Sequence, residues 1–302
     1  MKLLIICGPT ASGKSALAVE CAKILDSEII SADSMNVYKR LDIGTAKPDD
    51  DEKQGIKHHL IDVADPKDNF TVGNYRELAL PIVENLLSRN KIPIICGGTG
   101  FYINSLLYNY SYGKGIGNPQ VREKYNELSK IHGNSYVYEI LKEKDRESAE
   151  KLHPNDLKRV IRALEIFENG IKKSDIRDDM TPRYEYSAYS FLYPREELYS
   201  RIDARVDKMI EYGLINEVKN LQKDGITLEN QCMQGIGYKE IYGYLTGEYT
   251  LSEAIELIKL NTRHYAKRQI TFFKKISGLQ YLESVDIKSN AAKICERIYK
   301  SI

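Results

Sequence analysis

The segment Gly8-Pro-Thr-Ala-Ser-Gly-Lys-Ser15 constrains this chain more than any other. It matches G-x-x-x-x-G-K-[ST] and stands where that pattern has a mechanism, between a short apolar run, Lys2 to Cys7, and a stretch in which Leu17, Ala18, Cys21, Ala22 and Leu25 recur at helical spacing. A buried strand, a glycine-rich turn and a helix in that order make an anion cradle. The loop of Gly8, Pro9, Thr10, Ala11, Ser12, Gly13, Lys14 and Ser15 aims backbone amides and a helix N-terminus at phosphate oxygens. Lys14 reaches the terminal phosphates, and the Ser15 hydroxyl is the expected Mg²⁺ ligand. The loop therefore calls for a diphosphate or a triphosphate.

The same strand-to-glycine grammar recurs. Glu28 to Ser31 reads as a second short strand, a helical pattern runs from Val72 to Leu87, and Ile92 to Cys96 is a third buried strand that ends in Gly97-Gly98. Such repetition predicts an α/β fold, a P-loop doubly wound parallel sheet with ligands at the strand C-termini. From Tyr112 the pattern changes. Gly113 to Pro119 is turn-rich, Val121 to Phe167 reads as helices only, and one of these starts after Pro154 with Asn155 as its N-cap. A strand returns at Tyr189 to Tyr193, helices resume at Arg195, and the capping box Thr250-Leu-Ser-Glu253 opens a helix running to about Ile276. The expected organisation is a catalytic core of residues 1–111 and 194–302 with a helical insertion over 112–193.

Composition narrows the function classes. No run approaches the roughly 18 consecutive apolar residues of a membrane span, and the N-terminal apolar run is too short for a signal peptide, so neither a membrane nor a secreted protein is expected. Five cysteines without a C-x-x-C pair fit a reducing cytoplasm, and the five histidines have no zinc-site spacing. With 44 basic against 43 acidic residues, any polyanion must meet a local patch. Lys259 to Lys275 holds six basic residues and no acid, with Lys259, Arg263 and Lys267 at i, i+4, i+8 and His264 and Arg268 beside them. Lys158, Arg159 and Arg162 make a second cluster. Each is either a solvated face or a phosphodiester track, and two tracks point to a nucleic-acid cleft between the domains.

Three further groups carry candidate chemistry. Asp33 ends the second strand near the phosphates and could serve as a general base, support Mg²⁺ from behind a water or cap the next helix. The loop Gly97-Gly-Thr-Gly100 is either a tight turn or the place where Thr99 bonds the reacting ligand. Arg201 and Arg205, one helical turn apart, form either a phosphate clamp or ion pairs with Asp203 and Asp207. No apolar strand ending in aspartate follows the phosphate loop at the third strand, as an ordinary motor would have.

Taken in order, these segments resemble one family. Gly8 to Ser15, Ser31-Ala-Asp-Ser-Met-Asn-Val-Tyr38, Asp42-Ile-Gly-Thr-Ala-Lys-Pro48, His58-His-Leu-Ile-Asp62, Gly97-Gly-Thr-Gly-Phe-Tyr102, His153-Pro-Asn-Asp156 through Arg162-Ala-Leu-Glu165, Gly235-Ile-Gly-Tyr-Lys-Glu240 and Tyr265-Ala-Lys-Arg-Gln-Ile-Thr271 are similar to the tRNA dimethylallyltransferases, over nearly the whole chain. Asn36 stands where that family usually has glutamine, and Phe272 where tryptophan is common.

The resemblance implies a prenyl transfer to N6 of adenosine 37 beside the tRNA anticodon. Dimethylallyl diphosphate would sit on residues 8–15 with Mg²⁺, and Asp33 would take the proton of the attacking amine. Lys14 and Arg205 would hold the departing diphosphate with Arg201 beside them, and Thr99 would assist. The flipped adenine would lie near Asp33, Ser34, Met35, Asn36 and Thr99. The resemblance places tRNA contacts, to the anticodon stem-loop, at Arg122, at Lys158, Arg159, Val160, Ile161 and Arg162, at Gln234, Gly235, Ile236, Gly237, Tyr238 and Lys239, and at Lys267 and Arg268. It also implies a cytoplasmic monomer. A small-molecule kinase and a non-catalytic RNA-binding P-loop protein are the rival readings.

Overall fold

The computed structural model describes residues 2–109, 117–177, 179–283 and 286–300. Its centre is the first strand, β1 (Lys2–Cys7), in which Leu3 to Cys7 are fully buried. A strand apolar on both faces must lie inside a sheet covered on both sides. It does: with β2 (Ile29–Ser31), β3 (His58–His59), β4 (Ile94–Gly97), β5 (Glu185–Phe191) and β6 (Leu279–Leu282), the order is β3-β2-β4-β1-β5-β6, and every pairing is parallel. Leu4 sits opposite Ile94 on one side and Ser187 on the other.

On one face Leu4, Ile6, Ile94 and Cys96 pack against Leu17, Ala18, Cys21 and Ala22 of the helix Lys14–Ile24 and against Ala291, Ile294 and Ile298 of the helix Ile287–Tyr299. The alternate side chains Leu3, Ile5 and Ile95 are just as buried, so the second face is covered too. The helices Val72–Ser88 and Gly100–Leu107 meet through Tyr75 and Tyr102, whose rings stack at 4.0 Å. The fold is the expected P-loop parallel α/β sheet. All five cysteines are buried free thiols, and no described helix is long and apolar enough to cross a membrane.

The chain separates into two compact units, Met1–Leu107 with Arg183–Ile302, and Tyr108–Pro182. The second closes at Pro182 rather than at 193. The reason is β5, which starts at Glu185 and pairs with both β1 and β6, so the chain is already back in the sheet ahead of the strand expected from Tyr189. The turn-rich start expected at 112–119 lies outside the described residues as far as 116. The long helix ends at Phe273, a turn short of Ile276.

The small unit consists of the helices Pro119–His132, Asn134–Lys144, Arg146–Glu150 and Leu157–Glu168 around Tyr125, Val137, Leu141, Val160, Ile161 and Leu164. Asn118 caps the first, accepting from the amides of Gln120 and Val121 at 3.1 and 3.3 Å ahead of Pro119. The last has Asp156 rather than Asn155 at its N-cap position, with no side-chain capping bond, and the Asn155 amide donates to His153 Nδ1 at 3.2 Å.

Glu165 is fully buried in this unit. Arg122 holds it with Nε to Oε1 at 2.8 Å and Nη2 to Oε2 at 3.1 Å, and Arg162 holds it from the other side. Burial pushes this carboxyl up, but the Arg162 and Arg122 hydrogen bonds and the Asn118 amide outweigh it and keep it below the usual carboxylate range. Arg122→Ala should therefore destabilise the protein by about 1–3 kcal/mol in urea denaturation at neutral pH, by leaving a buried carboxylate with half its partners. Because the folded pKa is depressed, this stabilisation is present above the ordinary glutamate value and is lost as pH falls through the folded one. A variant with wild-type stability at pH 7 would show that the pair contributes nothing.

Candidate active site

The phosphate loop is shaped by two left-handed residues. Gly13, at φ 85°, is the N-cap of Lys14–Ile24, and Ala11 sits at φ 60°. Between them the chain wraps its amides inward. Among the described residues those of Ala11, Ser12, Gly13, Lys14 and Ser15 find no acceptor, and the buried Ser12 Oγ has no partner either. A run of open amides at a helix N-terminus is built to receive an anion.

The cations around it say the same. Lys14 Nζ donates to the Pro9 carbonyl at 3.2 Å and enters no ion pair among the described residues. Burial first, and the charge of Arg205 second, pull its pKa below the ordinary lysine value. Arg205 comes from the helix Arg195–Glu211. Burial lowers its pKa too, the charge of Asp33 offsets part of this, and its buried Nε has no partner. Arg201, one turn earlier, donates from Nε to the Ala11 carbonyl at 2.9 Å and lies over the Tyr193 ring at 4.9 Å. Neither arginine is held by Asp203 or Asp207. Those acids take Arg263, at 2.8 Å, and Lys259, at 2.8 Å.

Asp33 follows β2. Its Oδ1 accepts from the Met35 amide at 2.9 Å and the Asn36 amide at 3.4 Å, which closes a turn and caps no helix, since the next helix begins only at Asp50, while Oδ2 takes no hydrogen bond among the described residues. Thr99 ties this turn to the loop after β4. Its amide donates to Ala32 O at 2.9 Å, and its Oγ1 accepts from the Ser34 amide at 2.9 Å and donates to Ser34 Oγ at 3.2 Å. Thr99 is thus a positioning residue as far as its visible bonds go. Asn36 Oδ1 is buried without a partner.

Sequence reasoning missed two members, both on the helix Leu251–Phe273. Gln269 accepts from the Thr10 amide at 2.9 Å and donates to the Gly98 carbonyl at 2.9 Å, strapping the two glycine-rich loops together. Tyr265, one turn earlier, lies beside Thr99 and Gln269, and burial with the nearby charge of Asp33 pushes its hydroxyl up to about 12. The signal was a glutamine in the apolar stripe of Ile258, Ala266 and Phe273 on a helix otherwise notable for its charge.

The expected RNA-contacting residues divide sharply. Val160 and Ile161 are core, and Tyr238 is buried with its hydroxyl donating to Glu217 at 2.6 Å, so these side chains are closed to a polynucleotide. Gly237 is buried as well. Arg122 and Arg162 serve Glu165. Lys158 and Arg159 are exposed, as is Gln234, while Gly235, Ile236 and Lys239 are half-buried. Gly235 approaches Met35 so closely that a Cβ there would meet its side chain, bringing the 234–239 segment up to the Asp33 turn. The basic track is shorter than its sequence: Lys259 and Arg263 are neutralised, leaving Lys267, Arg268, Lys274 and Lys275 as its open members among the described residues.

A family model described as IPP transferase matches residues 36–276, four-fifths of the chain, from Asn36 through Thr99, Arg201 and Arg205 to Gln269. The chain belongs to the IPP transferase family. Relatives within it include the tRNA dimethylallyltransferases of Acetivibrio thermocellus, 46% identical over 99% of this chain and 96% of the relative, and of Alkaliphilus metalliredigens, 45% identical over 100% and 97%. Among solved structures, the tRNA isopentenylpyrophosphate transferase of Bacillus halodurans matches with a TM-score of 0.75 at 38% identity, covering 99% of this chain and 96% of that one. A eukaryotic dimethylallyltransferase acting on tRNA matches with a TM-score of 0.81 at 31% identity, over 98% and 77%. As an IPP transferase, the chain is an enzyme of prenyl transfer.

Proposed function

We propose that this protein transfers a dimethylallyl group from dimethylallyl diphosphate to N6 of adenosine 37 beside the tRNA anticodon and releases diphosphate. The observation that carries the reading is the pair of half-buried cations, Lys14 and Arg205, beside open loop amides, with neither in an ion pair among the described residues. Two such charges are costly until a multiply charged anion joins them, and a diphosphate leaving group supplies it.

The exocyclic amine attacks C1 of the donor, the C1–O bond breaks with its electrons on the diphosphate, and the amine proton passes to Asp33. Oδ1 of Asp33 is fixed by two amides, which leaves Oδ2 to receive it. Lys14, Arg205 and the amides of Ala11 to Ser15 neutralise the charge that grows on the leaving oxygen. The adenine must leave its stack to arrive here. The unpartnered Asn36 Oδ1 is a fitting acceptor for one N6–H, in the turn that Thr99 and Ser34 hold still.

The donor set also fits Mg²⁺. The exposed Ser15 hydroxyl opens the helix, and no group of three His, Cys, Asp or Glu side chains capable of holding a metal occurs among the described residues. Such a site suits an ion that arrives on phosphate oxygens and keeps much of its water. When bound it would share the diphosphate charge, with Ser15 as its protein ligand. The protein acts, on this reading, as a cytoplasmic monomer; its five free thiols suit that compartment.

Radiolabelled dimethylallyl diphosphate incubated with bulk tRNA tests the proposal directly. Label should enter RNA with stoichiometric diphosphate release. Turnover of ATP with a small acceptor and no label in RNA would establish a kinase in its place.

Lys267 and Arg268, with the exposed Lys158 and Arg159, are the contacts we assign to tRNA phosphates. Removing Lys267 and Arg268 together should flatten the slope of log affinity against log salt by up to roughly 1–2, because each lost phosphate contact releases one counterion fewer. Donor affinity should not change. An unaltered slope in a folded double variant would take this helix out of the RNA site.

A further inference from the structure

Phe101 is 63% exposed, the most exposed aromatic of the strand-ending loops, although it opens a helix whose other large side chains are buried. A phenylalanine so placed buries little of its ring in the fold. Its ring meets Phe272 of the helix Leu251–Phe273 edge to face, with centroids 5.3 Å apart and planes at 63°. Phe272 in turn lies over Gly100, where a Cβ would overlap the ring, so the glycine is what lets the two aromatics close on each other. Beside them Lys267, Arg268, Thr271, Phe272 and Lys275 line an open cavity of about 280 Å³. Among the described residues none of these three cations is in an ion pair, whereas Lys259 and Arg263 on the same helix both are.

An apolar ring left in solvent and bordered by three unneutralised cations matches the chemistry of one ligand, a strand with flat bases and a charged backbone. Single-stranded RNA binds in this way, its base on an aromatic face and its phosphates on lysine and arginine. An apolar protein surface would gain nothing from three open cations, and the prenyl group of the donor carries no charge to meet them.

We propose that Phe101, supported by Phe272 and flanked by Lys267, Arg268 and Lys275, is a stacking subsite for an unpaired loop nucleotide that flanks the reacting adenosine. The subsite rests on the transfer reading above and adds a residue to it. Phe101 sits two residues after Thr99, which is bonded to the Asp33 turn, so a base stacked here lies one short step of backbone from the reaction centre. It would hold the loop open while the neighbouring base is flipped, and it is indifferent to base identity because every base has a flat face.

The test uses the full protein and a 17-nucleotide anticodon stem-loop RNA made as a series, each loop residue in turn replaced by an abasic one. Dissociation constants are measured for wild type, Phe101→Ala, Phe101→Leu and Phe101→Tyr. Wild type should lose roughly 5- to 100-fold in affinity at one flanking position. Phe101→Ala and Phe101→Leu should bind the parent RNA weakly by a similar factor and lose nothing further at that position, while Phe101→Tyr behaves as wild type. The affinity for dimethylallyl diphosphate should be the same in all four. If Phe101→Leu keeps the full abasic penalty, or if Phe101→Ala changes donor affinity and leaves RNA affinity alone, the aromatic pair is an apolar wall and the subsite is overturned. Failure of wild type to bind any hairpin would bring down the transfer reading itself, a result separable from a flat Phe101 series on a tightly bound RNA.

Discussion

Asp33→Asn loses about 10²- to 10⁴-fold in single-turnover prenyl transfer while binding both substrates as wild type does. The range is that of a general base removed from a proton transfer. Asparagine is the informative replacement. Its side-chain oxygen can still accept from the Met35 and Asn36 amides, which bond Oδ1 at 2.9 and 3.4 Å, so the turn that Thr99 clasps through Ser34 survives. What it loses is a carboxylate able to take the amine proton. Asp33→Ala removes the turn acceptor as well, and it should fall at least as far and also lose thermal stability. If rapid-quench rates for Asp33→Asn stay within about fivefold of wild type, the proton goes elsewhere and Asp33 is a turn residue alone.

The parts of this site legible in the sequence are those set by consecutive residues. A loop between β1 and its helix carries its chemistry in local spacing, and the carboxylate after β2 falls where any parallel sheet delivers ligands. Contacts between distant segments left weaker traces. Asp203 and Asp207 repeat at four, as do Lys259 and Arg263, and the two helices pair acid to base along that shared period. Each spacing was visible alone, and nothing local said that they matched each other rather than phosphates. Val160 and Ile161 belong to the apolar face of their own helix, a pattern present in the sequence but overridden there by the basic residues beside them. Gln269 shows the hardest case. Its two bonds join loops 88 residues apart in sequence, Thr10 and Gly98, and a lone glutamine carries no periodicity of its own.

Arg205→Met should raise the thermal stability of the ligand-free protein and nearly abolish its activity. The ligand-free fold holds Lys14 and Arg205 half-buried and near one another, and burial lowers the pKa of each. Replacing one by an apolar side chain of similar length removes both a desolvation cost and a repulsion, for a gain of a few degrees in Tm. The same charge is what the departing diphosphate needs, so single-turnover transfer should fall by about 10²- to 10³-fold.

Two further readouts separate this from a general structural effect. Added diphosphate with Mg²⁺ should raise the wild-type Tm and leave that of the variant almost unmoved. The pH dependence also has a definite sign. Lys14 has a folded pKa below its ordinary 10.5, so between the two values the unfolded chain binds more protons and ligand-free stability rises with pH. In Arg205→Met the Lys14 pKa moves back up, and that alkaline rise should shrink. A variant that melts below wild type, yet still gains as much from diphosphate, would make Arg205 a structural cation and leave the leaving group to Lys14, the loop amides and Mg²⁺.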